Sequence, residues 1–396
     1  MSSTARLPRR SDDRTQRGRG VLIALVWVAA VIGVVGVILL VTASSLGSRN
    51  DQSVLYAFLL PLVFAFLPLP VLWLAYWWLD RYEPEPLRYK FAAIIWGAVI
   101  ATSVSLVIQL AVSRLTDISD RTLASWIAPV TEEPAKCLFL ILTFVRARKV
   151  IDGFLDGLIY AGLVGIGFAL LENVGYYALS YAGAPGVSIE GTTAVTATFV
   201  VRGIFSPLAH PLFTSAFGIA IGLAITQRSW IVRILLGLVG LAASIGLHHL
   251  WNASLSQANL ALFAIVYLCL GILIVILVVF AVIVRSRQVR VLEKSLSYIA
   301  LRGWIDGAEV PWLTRFDRRK SARRFARRHG GAGAARAMKR YQHIATDMAF
   351  LHHNLMIGRA ETNGVARTHQ MLERMHRIRP MLVFPPPLHK VGTNVY

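Results

Sequence analysis

Eight apolar runs, each about as long as a bilayer is thick, dominate this chain: about 21–43, 54–79, 91–113, 123–145, 154–181, 203–226, 232–253 and 258–284. At ~1.5 Å of rise per residue, ~20 residues cross a hydrocarbon core of ~30 Å. No water is available there to satisfy backbone groups, so runs of this length must close their own hydrogen bonds as helices. The expected fold is therefore all-α: a polytopic membrane bundle of about eight transmembrane helices. Composition agrees, with 56% of the 396 residues hydrophobic and only 16% charged, outside the range of soluble domains. The first run is longer than the ~7–15 residues of a signal-peptide core and reads as an uncleaved signal anchor.

The net charge of +20 is concentrated at the C-terminal end, where residues 285–396 hold 22 Lys/Arg against 7 Asp/Glu. Three regions follow: a basic, disordered N-terminus (1–20), an eight-span membrane domain (21–284), and a basic, partly helical tail (285–396). Lys and Arg favour short cytoplasmic loops. Placing the N-terminus inside puts the charged segments 80–90 and 146–149, Arg228 and the tail on that same side. Both termini are thus expected in the cytoplasm of a multi-pass cell-membrane protein. Cys137 and Cys269 both lie in apolar runs, which leaves no disulfide framework.

The fourth run contains T-E-E-P-A-K, Thr131 to Lys136. A carboxylate at the bilayer centre costs about 2.5–3.5 kcal/mol on insertion scales, so such groups face a protein interior or a wet cavity and mark function. Glu132 and Lys136 are four apart and share a helix face, while Pro134 removes one backbone donor and is expected to loosen the helix. In the fifth run, Gly153, Gly157, Ala161, Gly165 and Ala169 form a small-residue stripe for close helix approach. Glu172 and Asn173 follow it, with Phe168 one turn before Glu172. The sixth run has Arg202 at its outer end and His210 between Pro207 and Pro211, which implies a kink. The seventh places His248 and Asn252 on one face, with His249 turned away. Counted from the outer helix ends, Glu132, Glu133, Glu172, His210 and His248 fall within one layer ~7–15 Å deep. They are expected to share one site in the outer half of the bilayer.

The chain has no H-E-x-x-H zinc helix, no G-x-S-x-G nucleophile and no intramembrane aspartate pair. Carboxylate and imidazole remain. These groups can hold Zn²⁺ with an open position for water. Alternatively, Glu132 or Glu133 acts as general base without metal, while His248 and Asn252 donate to the oxyanion. Either route hydrolyses an amide. Lys136, one turn from Glu132, favours Glu133 as the base.

Together these segments resemble the PrsW family of intramembrane proteases, within the wider group that includes the CAAX-prenyl endopeptidases. The matching residues are E-E-x-x-K at Glu132, Glu133 and Lys136, F-x-x-x-E-N at Phe168, Glu172 and Asn173, the segment from Arg202 to His210, H-x-x-x-N at His248 and Asn252, and D-R-Y-E-P-E-P at Asp80 to Pro86. The resemblance covers about residues 55–280. It implies a multipass metalloprotease that makes the first cut in a membrane-anchored anti-sigma factor, outside the cytoplasm. The expected catalytic set is Glu132, Glu133, Glu172, His210, His248 and Asn252. Glu172, His210 and His248 are the expected zinc ligands, and Lys136, Phe168, Asn173 and Arg202 have supporting roles. The wider group supports instead a glutamate-activated water without metal.

The competing class is a proton- or ion-coupled transporter, since buried carboxylates and histidines also build relays. No internal repeat is evident, however, and the polar residues form a layer rather than a path. The basic tail suits anionic lipid headgroups. Nucleic acid is not an expected partner, because no nucleic-acid-binding signature accompanies the charge.

Overall fold

The computed structural model describes residues 51–386 apart from 82–83, 148–149, 152, 184–190, 257–258 and 359–362. The first expected span, 21–43, and the N-terminal region 1–20 lie outside the described residues. The described residues are helical throughout their regular structure and separate into two units. Among the described residues, one comprises 51–78 and 85–275; the other comprises 79–84 and 276–386.

The first unit holds α1 (Asp51–Phe66), α2 (Leu69–Leu79, all but its last residue), α3 (Leu87–Leu115), α4 (Ala128–Arg146), α5 (Phe154–Ala182), α6 (Thr192–Phe199), α7 (Ala209–Ala224), α8 (Trp230–Ser256) and the beginning of α9 (Leu260–Leu301). Among the described residues, six helical stretches are long and apolar enough to cross a membrane, and the chain is a multi-pass membrane protein. The helix carrying Glu132, Glu133 and Lys136 is not among the six. Those three charges, which lie within α4, lower its apolar character.

At the centre is α5, whose apolar window is 89% buried, against 11% for α8 and α9. A helix apolar on all sides and enclosed on all sides is a core helix. Lipid tails are as apolar as leucine, so the helices around α5 gain by close backbone approach rather than by leaving water. The small-residue stripe supplies this approach. A Cβ on Gly157 would lie 2.0 Å from the Gly218 carbonyl oxygen of α7, and one on Gly165 would lie 2.6 Å from the nitrogen of Pro211. On other faces of α5, a Cβ on Gly167 would meet the Ile94 carbonyl at 1.9 Å and one on Gly162 the Tyr76 hydroxyl at 1.9 Å.

Three π-helical segments interrupt these helices: Trp96–Ala101 within α3, Leu123–Ile127 leading into α4, and Val200–Phe205 after α6. The expected kink near Pro207 and Pro211 is a turn at 206–208, with Pro211 in the first turn of α7, where its missing N–H costs nothing. By contrast, α4 runs through Pro134 as one helix. The loosening expected there is not a break.

In the second unit, the end of α9 packs with α10 (Val310–Thr314), α11 (Phe316–Met356) and α12 (Gly364–Ile378). Leu292, Leu296, Ile299, Leu313, Tyr341 and Met348 form its core. Gly331, at φ 75°, turns α11 between two helical halves, a conformation that glycine adopts without strain. Tyr341 donates to Glu309 at 2.6 Å, and Arg379 pairs with the same carboxylate at 2.8 Å.

Because the α5–α7 seam leaves no room for a side chain, Gly157→Val should sharply lower the thermal unfolding midpoint of the full chain in detergent. Gly246→Ala on α8, where a Cβ meets nothing within 4 Å, should leave the midpoint unchanged or raise it.

Candidate active site

Lys136 organises the polar cluster. Its side chain is completely buried, and its ammonium reaches Glu133 Oε1 at 2.8 Å, Glu132 Oε2 at 3.3 Å and His210 Nδ1 at 3.0 Å. It also sits 3.6 Å above the Phe168 ring, a cation–π contact from α5. The i, i+3 and i, i+4 spacings on α4 put both glutamates beside one lysine. The sequence pairs Lys136 with Glu132; in the structure its shorter contact is to Glu133.

Glu133 is saturated. Oε1 accepts from Lys136 and from His248 Nδ1 at 2.9 Å, while Oε2 accepts from Thr214 at 3.0 Å and Ser244 at 2.7 Å. A carboxylate bound by donors on both oxygens has no lone pair left for a substrate water. Glu132 is held more loosely. Gln109 Nε2 donates to Oε1 at 3.2 Å, and Oε2 has only the longer contact to Lys136. His248 Nε2 lies 3.8 Å from Glu132 Oε2, beyond hydrogen-bond reach. Of the two carboxylates, Glu132 is therefore the one with fewer donors.

Glu172 lies behind His210. Its Oε2 accepts from His210 Nε2 at 2.7 Å and pairs with Arg202, whose Nε donates to Asn173 Oδ1 at 2.6 Å. The Glu172 and Arg202 side chains are each 17% exposed, against 0–8% for Glu133, Glu132, His248 and His210. Lys136 donates to His210 Nδ1, so His210 carries its proton on Nε2. His248 donates from Nδ1 to the acceptor Glu133, and its neutral form then presents a lone pair on Nε2.

Glu132, Glu133, Glu172, His210, His248, Lys136, Phe168, Asn173 and Arg202 all meet in this network. Asn252 does not. Its amide donates to the Ala124 carbonyl at 2.9 Å, and His249 Nδ1 donates to the Ser125 carbonyl at 2.6 Å. Both carbonyls belong to the π-helical entry to α4, where the widened turn leaves carbonyls for outside donors. These two contacts hold α8 against that entry. Trp96, in the π segment of α3, donates to the Ala135 carbonyl at 2.9 Å.

Gln109, Thr214 and Ser244 were not singled out in the sequence, although a signal was present. Thr214 is four residues after His210 and Ser244 four before His248, so each shares a face with a histidine already selected.

Among the described residues, Glu132, His210 and His248 place one donor atom each within 4.8 Å of the others. The expected zinc set had Glu172 in place of Glu132. Glu172 contacts His210 Nε2 and Glu133 contacts His248 Nδ1. A carboxylate behind an imidazole is the usual outer support of a ligating histidine.

Residues 85–284 match the profile of a family described as PrsW family intramembrane metalloprotease. The chain belongs to the PrsW family. It is 28% identical over 152 residues to Protease PrsW of Geobacillus kaustophilus (strain HTA426), covering 38% of this chain and 61% of that protein. It is 26% identical over 142 residues to Protease PrsW of Clostridioides difficile (strain 630), covering 35% and 55%. The alignments thus span less than two thirds of these relatives. No solved structure matches the chain. The PrsW match contains every residue of the polar cluster, from Gln109 to His248.

Removing one partner from a buried ionic cluster leaves charge uncompensated at a cost of about 3–5 kcal/mol. Lys136→Met should therefore greatly reduce the unfolding midpoint in detergent. Adding Glu133→Gln should recover part of the loss, because the second change removes one of the stranded charges.

Proposed function

We propose that this chain is an intramembrane peptidase with Glu132 as its general base. The observation that carries the reading is the 3.8 Å gap between Glu132 Oε2 and His248 Nε2. A water beside this pair, off the line joining the two atoms, would donate one proton to each acceptor, with its oxygen turned toward a carbonyl. As the C–O bond forms, Glu132 takes the water proton, and as the C–N bond breaks it returns that proton to the leaving amine. Lys136 is the nearest cation to the negative charge that develops. Glu133 holds His248 in the tautomer that keeps Nε2 free. Burial excludes bulk water and strengthens each of these interactions.

Glu132, His210 and His248 form a His₂Glu donor set, the chemistry of hydrolytic zinc sites. For His210 to bind through Nδ1, the Lys136 ammonium would have to leave that nitrogen. This is an alternative to the metal-free route: Glu132 and His248 would then be ligands rather than acceptors of the water's protons, and a divalent cation held by the three residues would acidify its own bound water and polarise the scissile carbonyl. The identity of the metal as zinc belongs to this proposal.

The substrate class is a membrane-anchored polypeptide cut in the outer half of the bilayer, of which an anti-sigma factor at its first cleavage is one example. In support, the ionisable layer lies in the outer half when the basic loops are placed inside. The chain is placed in the plasma membrane with both termini cytoplasmic. The exposed Lys320, Arg324, Arg327, Arg328, Arg336, Lys339 and Arg340 of α11 would then face anionic headgroups. Residues 21–284 form the membrane domain and 285–396 the tail in this scheme.

The test is reconstitution of the full chain with a pool of single-span polypeptides randomised over the outer juxtamembrane segment. Wild type should release products, and Glu132→Gln should reduce the rate by at least ~10³-fold while keeping a normal unfolding midpoint. Cleavage by Glu132→Gln at the wild-type rate would reject the assignment. If the His₂Glu set is loaded, dialysis against chelator should abolish cleavage and added Zn²⁺ should restore it.

A further inference from the structure

Two buried hydroxyls converge on one carboxylate oxygen. Thr214 Oγ1 of α7 and Ser244 Oγ of α8 both donate to Glu133 Oε2, at 3.0 and 2.7 Å, and all three residues are 0% exposed. Serine and threonine in a helix commonly bond back to the carbonyl four residues earlier. Ser215, the next residue after Thr214, does so to Pro211 at 2.5 Å. Thr214 and Ser244 instead reach across to a third helix.

The geometry explains what that reach accomplishes. With Oε2 held from α7 and α8, the plane of the Glu133 carboxylate is set, and Oε1 is directed at His248 Nδ1, 2.9 Å away. This bond selects the Nδ1–H tautomer and turns Nε2 toward Glu132. If Oε2 lost one donor, Glu133 could rotate about its terminal torsion, which is broad for a carboxylate. Lys136, on the same oxygen as His248, would then compete with the imidazole for Oε1.

We propose that Thr214 and Ser244 are positioning residues for the hydrolytic step, acting through Glu133 on the tautomer and orientation of His248. This rests on the peptidase reading above. Neither residue touches the gap where the water would sit. Their effect is on the group that faces it, so they govern turnover rather than substrate binding.

The experiment uses the full chain in proteoliposomes and the most rapidly cut member of the single-span pool. Thr214→Val keeps the shape and removes the hydroxyl; Ser244→Ala removes one atom. Each should lower kcat ~10–100-fold, the usual effect of losing an outer-shell partner, with KM within ~3-fold of wild type. Thr214→Ser, which keeps the donor, should restore kcat to within ~3-fold. The unfolding midpoint is measured on each sample, and if Thr214→Val does not fold, Ser244→Ala carries the same readout. The inference is overturned if the hydroxyl-deleted variants keep wild-type kcat. It is also overturned if they lose activity only through KM, or if Thr214→Ser falls as far as Thr214→Val. Wild type and Glu132→Gln run alongside: no cleavage by wild type would overturn the peptidase reading, equal cleavage by Glu132→Gln would overturn the assignment of Glu132 as base, and either result would overturn this inference with it.

Discussion

A lysine ammonium with no exposure, placed among two glutamates and a histidine, is the interaction on which the rest of the membrane unit depends. Lys136 could not stay charged in an apolar interior without the carboxylates, nor could they without it. A simple ion pair would satisfy that requirement with two residues on one helix. Here the network extends to Arg202 through His210 and Glu172, and to Thr214 and Ser244 through Glu133. Cost and extent together argue for chemistry, since packing alone is achieved more cheaply by apolar side chains of similar volume.

The network exists because the helices that carry it can approach closely. Gly157 and Gly165 bring α7 against α5 at backbone distance, and the approach at Gly165 falls at His210 and Pro211. The same stripe that packs the bundle therefore sets one histidine of the site. The π-helical turn before α4 does the corresponding work for the other, since its Ala124 and Ser125 carbonyls receive Asn252 and His249 and so fix the helix that presents His248. Packing defects in an ideal helix thus become attachment points for the site.

Much of this was legible in the sequence, for identifiable reasons. Apolar runs of bilayer length dictate helices, and ionisable residues inside them are too costly to be incidental, which marked Glu132, Glu133, Lys136, Glu172, His210 and His248. What sequence spacing could not supply was the division of labour. Glu132 and Glu133 are adjacent and chemically identical, and only three-dimensional donor placement shows one saturated and the other available. Asn252 shares a face with His248 but is spent on a π-turn carbonyl, because π segments have no sequence signature as plain as a proline or a glycine. Thr214 and Ser244 were passed over because single hydroxyls in apolar helices are ordinary, and their meaning lies in converging on the same oxygen.

In the proposed reaction, this buried charge network activates water for peptide-bond cleavage. The most direct test is mass spectrometry of products formed by the reconstituted wild-type chain in ¹⁸O-labelled water. The account predicts cleavage in the substrate's outer juxtamembrane half, with one ¹⁸O in each new C-terminal carboxyl group. Products without ¹⁸O, a cut on the cytoplasmic side, or no cleavage from a folded, reconstituted chain would contradict it.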